Sequence, residues 1–576
     1  MIAVLAIMAL VAGACGGDDD DDAVASGDDG ASEGIFAEPA EEPASEEAGG
    51  DDGGESFDAE AGLAPADEPA DEESSFAEEP ADEPAAEPDT EAEEAMDDAA
   101  TDEGLFAGRQ GDDAEAPEPA EPTRDNRFAD YGIRDFVDAD DDPLSTFALD
   151  VDTGSYSVAR NFLNNGTLPP PESVRVEEFV NSFDYGYDDP RRDALGISLD
   201  GGPSPFDDDN YLVRIGVQSQ RLDDDERPEA SLTFVIDTSG SMAQDGRLEL
   251  VKDALEELVQ ELEDEDTIAI VEFDDNPSVV LEPTGVEDDD EIYDALDDLE
   301  PGGSTNVEAG LELGYDLAAE TFDEDRVNRV ILLSDGVANV GLTNPDRLAD
   351  MIRRDADRGI QLLTIGVGLG NFNDELLEQL ADQGDGFYAY VDTDDEAERL
   401  FEDNLTATLV TLAIDAKIQV EFDEDVVEEY RLIGFENRGV LDSDFRNDDV
   451  DAGEIGAGHQ VTAIYEIELE RGVDLDDREE IGEVRLRWEE PVTGEITEIE
   501  EDIDLDVIEP SWTRTSDSFQ LAVVVATFAE VLRDSPFADD IDLDDLEDEA
   551  DNIADRLDIR AVEEFADLVS LADRFS

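Results

Sequence analysis

Beyond residue 125 the apolar positions fall into three patterns. Residues 231–237, 267–273, 330–333 and 361–367 are nearly unbroken apolar runs, as expected of strands buried on both faces of a parallel sheet. Between them apolar residues recur at helical spacing, at Leu248, Val251, Leu255, Leu258 and Leu262, and again at Val307, Leu311 and Leu317. Further helices are predicted near 346–358, 374–380 and 395–408. This alternation predicts an α/β unit with a doubly wound, mostly parallel sheet and right-handed crossovers. Residues 416–422, 461–469 and 483–488 instead alternate apolar with polar, as half-buried antiparallel strands do.

Upstream, 147–151 and 211–217 read as strands, with helices around 158–163 and 174–183. The expectation is one β-rich domain built from strands on both sides of the α/β unit, which is inserted between them. Residues 516–534 and 543–575 read as amphipathic, acidic helices that close the chain. The resulting division is 1–14, 15–125, 126–229, 230–412, 413–509 and 510–576.

Composition changes the picture at the N-terminus. Residues 16–125 are almost entirely Ala, Glu, Asp, Pro and Gly, with loose repeats at Phe36-Ala-Glu-Pro-Ala and Phe76-Ala-Glu-Glu-Pro-Ala. Such a stretch cannot bury enough apolar surface to fold, and a disordered acidic tether is expected. Before it, an apolar segment ends in Ala12-Gly13-Ala14-Cys15. It is shorter than the roughly 20 residues of a membrane span and has the form of a lipoprotein signal peptide, with Cys15 as the lipidated residue. The basic residues that ordinarily open such a segment are missing, since no Lys or Arg precedes Arg109. An extracytoplasmic protein held to the cell membrane by a lipid anchor is the expectation, and with one cysteine in the chain no internal disulfide can form.

The formal charge of −132 excludes nucleic acid and anionic membrane surfaces as partners, because phosphate contacts need clustered Lys and Arg. Lys252 and Lys417 are the only lysines. An acid-rich, Lys-poor chain points to life in high salt, where the Debye length shrinks to about 3 Å at 1 M.

Candidate chemistry gathers where the apolar runs end. The first stops at Asp237-Thr-Ser239-Gly-Ser241, the third runs into Ser334-Asp335, and Gly302-Gly-Ser-Thr305 opens a helix. If the two strands share one sheet, two carboxylates and three hydroxyls converge at its C-terminal edge, where open α/β sheets place ligands. That is an oxygen-only donor set, suited to magnesium, with manganese or calcium as substitutes.

Asp237-x-Ser239-x-Ser241, Thr305 and Asp335 in this order resemble the metal-ion-dependent adhesion site of von Willebrand factor type A (VWA) domains, and 230–412 resembles that domain. Asp142 to Tyr156, Leu168-Pro-Pro-Pro171, Arg175 to Asn181, Tyr430 to Asn437 and Gly453 to His459 are similar to a bacterial VWA lipoprotein subfamily. The resemblance implies a magnesium site and a non-enzymatic role in binding a protein partner that offers an acidic side chain. It leaves oligomeric state, process and partner open. A hydrolase using metal-activated water, or an envelope assembly scaffold, is the alternative; the former needs a general base beside the metal, for which the sequence offers no separate candidate.

Three local patterns tempt other readings. Asp152-Thr-Gly-Ser155 spells an aspartic-protease turn without a second copy. His459, the single histidine, would have to serve any Ser-His-Asp triad. Asp540, Asp542 and Asp544 have calcium-loop spacing but carry Asp545 where glycine is needed. A strand-end turn, a turn histidine and a helix start are the expected roles.

Overall fold

The computed structural model describes residues 128–576 apart from 208–209, 223–226, 245, 336–344, 369–373, 404, 449, 474 and 476–478. The expected signal segment with Cys15 and the expected acidic tether lie outside the described residues. No described helix is long and apolar enough to cross a membrane.

The apolar runs assemble into a six-stranded sheet in the order Tyr388–Val391, Ile360–Val367, Val327–Ser334, Ala230–Asp237, Thr267–Phe273 and Ser278–Gly285. All neighbours are parallel except the last pair, where Ser278–Gly285 returns antiparallel at the edge. Because successive side chains point to opposite faces, each strand feeds two cores. Leu232, Phe234 and Ile236 pack with Leu248, Val251 and Leu255 of the helix Arg247–Glu261. Val235 faces the other way, onto Leu311 and Tyr315 of the helix Val307–Thr321. Gly314 lets that helix approach closely: a Cβ there would lie 2.4 Å from Val235 Cγ2.

Strands from both sides of this unit pair with one another. One antiparallel sheet runs Val137–Asp138, Val427–Ile433, Gln460–Leu469, Tyr211–Ser219, Leu195–Pro203. A second holds Gly453–Gly456, Thr411–Phe422, Glu480–Glu489 and Ile496–Asp504, with Leu144–Ala148 also on Thr411–Phe422. Ile215, Tyr465 and Ile467 of the first share a core with Ile418, Val420 and Trp488 of the second, so the two form a sandwich. The boundary expected after residue 412 falls inside Thr411–Phe422, because the last helix of the α/β unit leads directly into that strand.

Three helical expectations need correction. The stretch 395–408 is not one helix: Asp394–Glu398 widens into a π-type turn at Arg399–Asp403 before Leu405–Leu409. At the C-terminus Asp517–Leu532 is not amphipathic but buried on nearly every side, packed against Phe179 and Phe565. The stretch 543–575 breaks into Leu543–Leu557 and Arg560–Phe575 at Asp558, whose φ of 54° ends the first helix in a left-handed cap.

Candidate functional site

Asp237 ends the central strand, between Phe273 and the Ser334 strand, and is fully buried. Its Oδ1 accepts the Ser239 N–H at 2.8 Å and its Oδ2 accepts the Ser334 hydroxyl at 2.7 Å. Burial pushes its carboxyl up to about 6; the bonds from Ser239 and Ser334 pull the other way, and the charge of Asp335 adds to the rise. The chain then turns sharply, and the hydroxyls of Ser239 and Ser241 come within 2.9 Å of each other.

Main-chain bonds lock the Thr305 loop to this turn. Gly302 N–H donates to Thr238 O at 2.7 Å, and Gly240 N–H donates to Gly303 O at 3.3 Å. Gly303 has a φ of 72°, and a Cβ there would lie 2.6 Å from Asp274 Oδ2, so only glycine fits. Asn306 caps the following helix by accepting the Ala309 N–H, which leaves Thr305 buried at the rim of the helix.

Asp335 follows Ser334 at the end of the neighbouring strand and is also fully buried. Its Oδ2 takes Nη1 of Arg247 at 2.6 Å. Its Oδ1, equally buried, has no hydrogen-bond partner among the described residues. A buried carboxylate oxygen without a donor is costly unless something positive completes it. The structure thus brings the two strand-end carboxylates and the Ser-x-Ser turn together, ties the Thr305 loop to them, and leaves an acceptor open. These oxygens fit a hard divalent cation.

Two participants were missing from the sequence reading. Ser334 is adjacent to a residue already singled out, and only the strand register reveals that its hydroxyl serves Asp237. Arg247 did leave a signal: it occupies the first turn of its helix, where the macrodipole disfavours a cation, and such a position asks for a specific acidic partner.

The three tempting patterns take structural roles. Asp152 receives the Tyr388 N–H at 3.0 Å and Nη2 of Arg438 at 3.1 Å. His459 is half-buried; its Nδ1 accepts the Gly456 N–H at 3.1 Å, and desolvation, then the nearby Arg329, lower its pKa to about 4. It is therefore a neutral turn residue. Asp542 caps the helix Leu543–Leu557 by accepting the Asp544 N–H.

Three family models match successive parts of the chain. The family model described as von Willebrand factor type A domain matches residues 231–403, one described as von Willebrand factor matches 122–214, and one described as Uncharacterized protein YfbK, C-terminal, matches 407–575. The Uncharacterized protein YfbK of Escherichia coli (strain K12) is 36% identical over 418 residues, 69% of this chain and 72% of its own length. Inter-alpha-trypsin inhibitor heavy chain H3 of Homo sapiens is 31% identical over 183 residues, 30% of this chain and 19% of its own. Among solved structures, the von Willebrand factor type A protein from Catenulispora acidiphila is 15% identical with a TM-score of 0.39, covering 66% of this chain and 91% of that one.

Proposed function

Because this chain belongs to the von Willebrand factor type A domain proteins, whose domains mediate protein–protein interaction, we propose that it is a non-enzymatic binding protein whose ligand site is a metal centre. Asp237, Ser239, Ser241, Thr305 and Asp335 hold a divalent cation, magnesium foremost, and the partner offers an acidic side chain to it. The observation that carries this reading is the charge count around the open Asp335 oxygen. Asp237 and Asp335 contribute two negative charges, and Arg247, held 2.6 Å from Asp335, returns one. A divalent ion added to that set leaves one positive charge to be met by an incoming carboxylate. The hydroxyls of Ser239, Ser241 and Thr305 add oxygen donors without adding charge, so the chain's own residues preserve this imbalance.

The location proposed for this activity is the outer face of the cell membrane, with Cys15 lipidated and the acidic stretch 16–125 as spacer. Incorporation of labelled palmitate in wild type and not in Cys15→Ser tests the anchor.

The metal proposal is tested on the chelator-stripped full chain in molar NaCl, which suppresses diffuse binding of cations to acidic surface. Manganese binding followed by electron paramagnetic resonance, with magnesium as competitor, should detect a saturable site that Asp237→Ala removes, together with manganese-dependent retention of a glutamate-rich peptide. Undiminished manganese uptake at this site by Asp237→Ala overturns the assignment of residues; metal uptake without any gain in peptide retention overturns the acidic-partner reading.

A further inference from the structure

A second group of carboxylates lies at the opposite edge of the six-stranded sheet. Asp385 occupies the turn between the helix Asp374–Asp382 and the strand Tyr388–Val391, with a φ of 49°. It therefore stands at the N-terminal edge of the parallel strands, whereas Asp237 ends a strand at the C-terminal edge. The turn is pressed against the neighbouring strand: Leu362 N–H donates to Gly384 O at 2.9 Å, and a Cβ on Gly386 would lie 1.8 Å from Leu362 O.

The sandwich brings two more carboxylates to this turn. In the strand Thr411–Phe422 the register slips between Ala413 and Ala416, and Asp415 within the slip has a φ of 54°. Its Oδ1 accepts the Ala452 N–H at 3.0 Å and so fixes the chain between Asp451 and the strand Gly453–Gly456, on which Glu454 stands. One oxygen from each of Asp385, Asp451 and Glu454 then falls within 4.8 Å of the others.

Crowded surface carboxylates alone would mean little, but Glu454 is only 7% exposed. Among the described residues none of the three carboxylates makes a side-chain hydrogen bond or an ion pair. The charge of Glu454 is felt by the buried Arg329, yet that guanidinium donates to Gln361 at 2.8 Å and Thr411 at 3.0 Å instead. Lys417 donates to Asn447 O at 3.0 Å. Desolvation first, and then neighbouring carboxylates, raise Asp385 to about 7 and Asp451 to about 6, and push Glu454 well above the usual range. A buried, unpartnered carboxylate aimed at two others is a cost that a cation would relieve.

We propose that Asp385, Asp451 and Glu454 form a calcium site, separate from the Asp237 centre, that fastens the N-terminal edge of the six-stranded sheet to the β-sandwich. Calcium is the class of ion favoured because its shell of six to eight oxygens tolerates irregular geometry and completes itself with water, which the exposed side of Asp451 admits. Magnesium demands a near-ideal octahedron, for which three carboxylates from two separate elements are poorly disposed.

The test uses the chelator-stripped full chain carrying Asp237→Ala, in about 1 M NaCl to screen diffuse binding. Calorimetric titration with calcium chloride should detect one saturable calcium ion, and calcium should raise the melting temperature. Adding Asp451→Asn, at an exposed position that leaves the fold intact, should weaken that uptake about tenfold or more and abolish the thermal shift. Glu454→Gln should behave likewise and, by removing a buried carboxylate from the cluster, should melt higher than its parent in chelator. Calcium uptake and thermal shift unchanged by Asp451→Asn and by Asp385→Asn would overturn the proposal, as would the absence of saturable uptake in the Asp237→Ala parent. Since every arm lacks Asp237, these outcomes do not depend on the adhesion-type site.

Discussion

Replacing Arg247 by methionine separates the two tasks its guanidinium performs. The side chain is 5% exposed and lies 2.6 Å from an Asp335 carboxylate that is 0% exposed. It is cradled by Gly368, at which a Cβ would lie 2.6 Å from Arg247 Nε. Methionine fills similar volume without charge and leaves Asp335 buried and uncompensated. Removing one partner of such a pair costs roughly 3–5 kcal/mol, so in chelator Arg247→Met should lower the unfolding free energy by about that much. A unit charge at about 4 Å is worth roughly 4 kcal/mol at an effective dielectric of 20, and relaxation and solvent leave a fraction of this. Divalent-ion affinity should therefore rise about tenfold or more once the competing cation is gone. Magnesium stabilises wild type as well, and a tenfold difference in affinity is about 1.4 kcal/mol, so saturating magnesium should narrow the deficit of the variant by about that much. Affinity for an acidic peptide should move the opposite way, because the loaded site would fall from one net positive charge to none. The assays are denaturant unfolding with chelator and with magnesium, calorimetric metal titration, and peptide binding, with Arg247→Lys as the charge-conserving control. Equal destabilisation with and without magnesium, at unchanged metal affinity, would refute the reasoning and leave Arg247 a structural residue.

Two further outcomes follow from charge. Repulsion among carboxylates in a chain of formal charge −132 is screened over about 3 Å at 1 M salt, so the melting temperature should climb between dilute buffer and molar NaCl; a flat response removes the high-salt reading. Glu177 is 1% exposed and accepts the Phe435 N–H at 3.0 Å; burial and then Glu436 raise its pKa to about 7. An unfolded Glu titrates near 4.3, so between about pH 4.5 and 7 the folded state binds a proton the unfolded state has released, and stability falls as pH rises through that window. Glu177→Gln, which keeps the acceptor, should be more stable than wild type by about 3 kcal/mol at pH 8 and near parity at pH 4; a difference independent of pH contradicts this.

What the sequence made legible was whatever is buried on two faces. Thr267–Phe273 reads at its true limits because most of its positions are apolar, whereas Val327–Ser334 is legible only over 330–333, because Asn328 and Arg329 interrupt its run. Two strands that resisted reading are edges. Ser278–Gly285 contains Pro283, which a central strand does not tolerate, and Ile496–Asp504 is mostly acidic because its outer side faces water. Asp517–Leu532 was misjudged for the converse reason: a helix enclosed between the sandwich and two terminal helices has no polar face to show. At the site, the oxygen donors stood at strand ends and in one glycine-rich turn, so their spacing was informative. Arg247, which sets the site's net charge, is visible in the sequence only as a cation misplaced at a helix N-terminus.

The insertion of the α/β unit into the sandwich bears on what a ligand at the Asp237 edge can move. Guanidiniums stitch the unit to its flanks: Arg160 to Asp392 and Glu396 at 2.6 and 2.8 Å, Arg175 to Glu378 at 2.7 Å, and Arg438 to Glu378 and Asp382 at 2.9 and 3.0 Å. Arg438 simultaneously holds Asp150 and Asp152, at 2.8 and 3.1 Å, from the segment that precedes the unit. Swinging the unit as a rigid body would separate several of these pairs, and each buried partner left behind costs roughly 3–5 kcal/mol. Coupling energies between sites are about 1–3 kcal/mol, too small to break the set. At the C-terminal junction the chain offers no slack, since the last helix Leu405–Leu409 passes within two residues into the strand Thr411–Phe422. In the proposed function, ligand capture is therefore confined to the C-terminal edge of the six-stranded sheet, with the sandwich as its rigid mount.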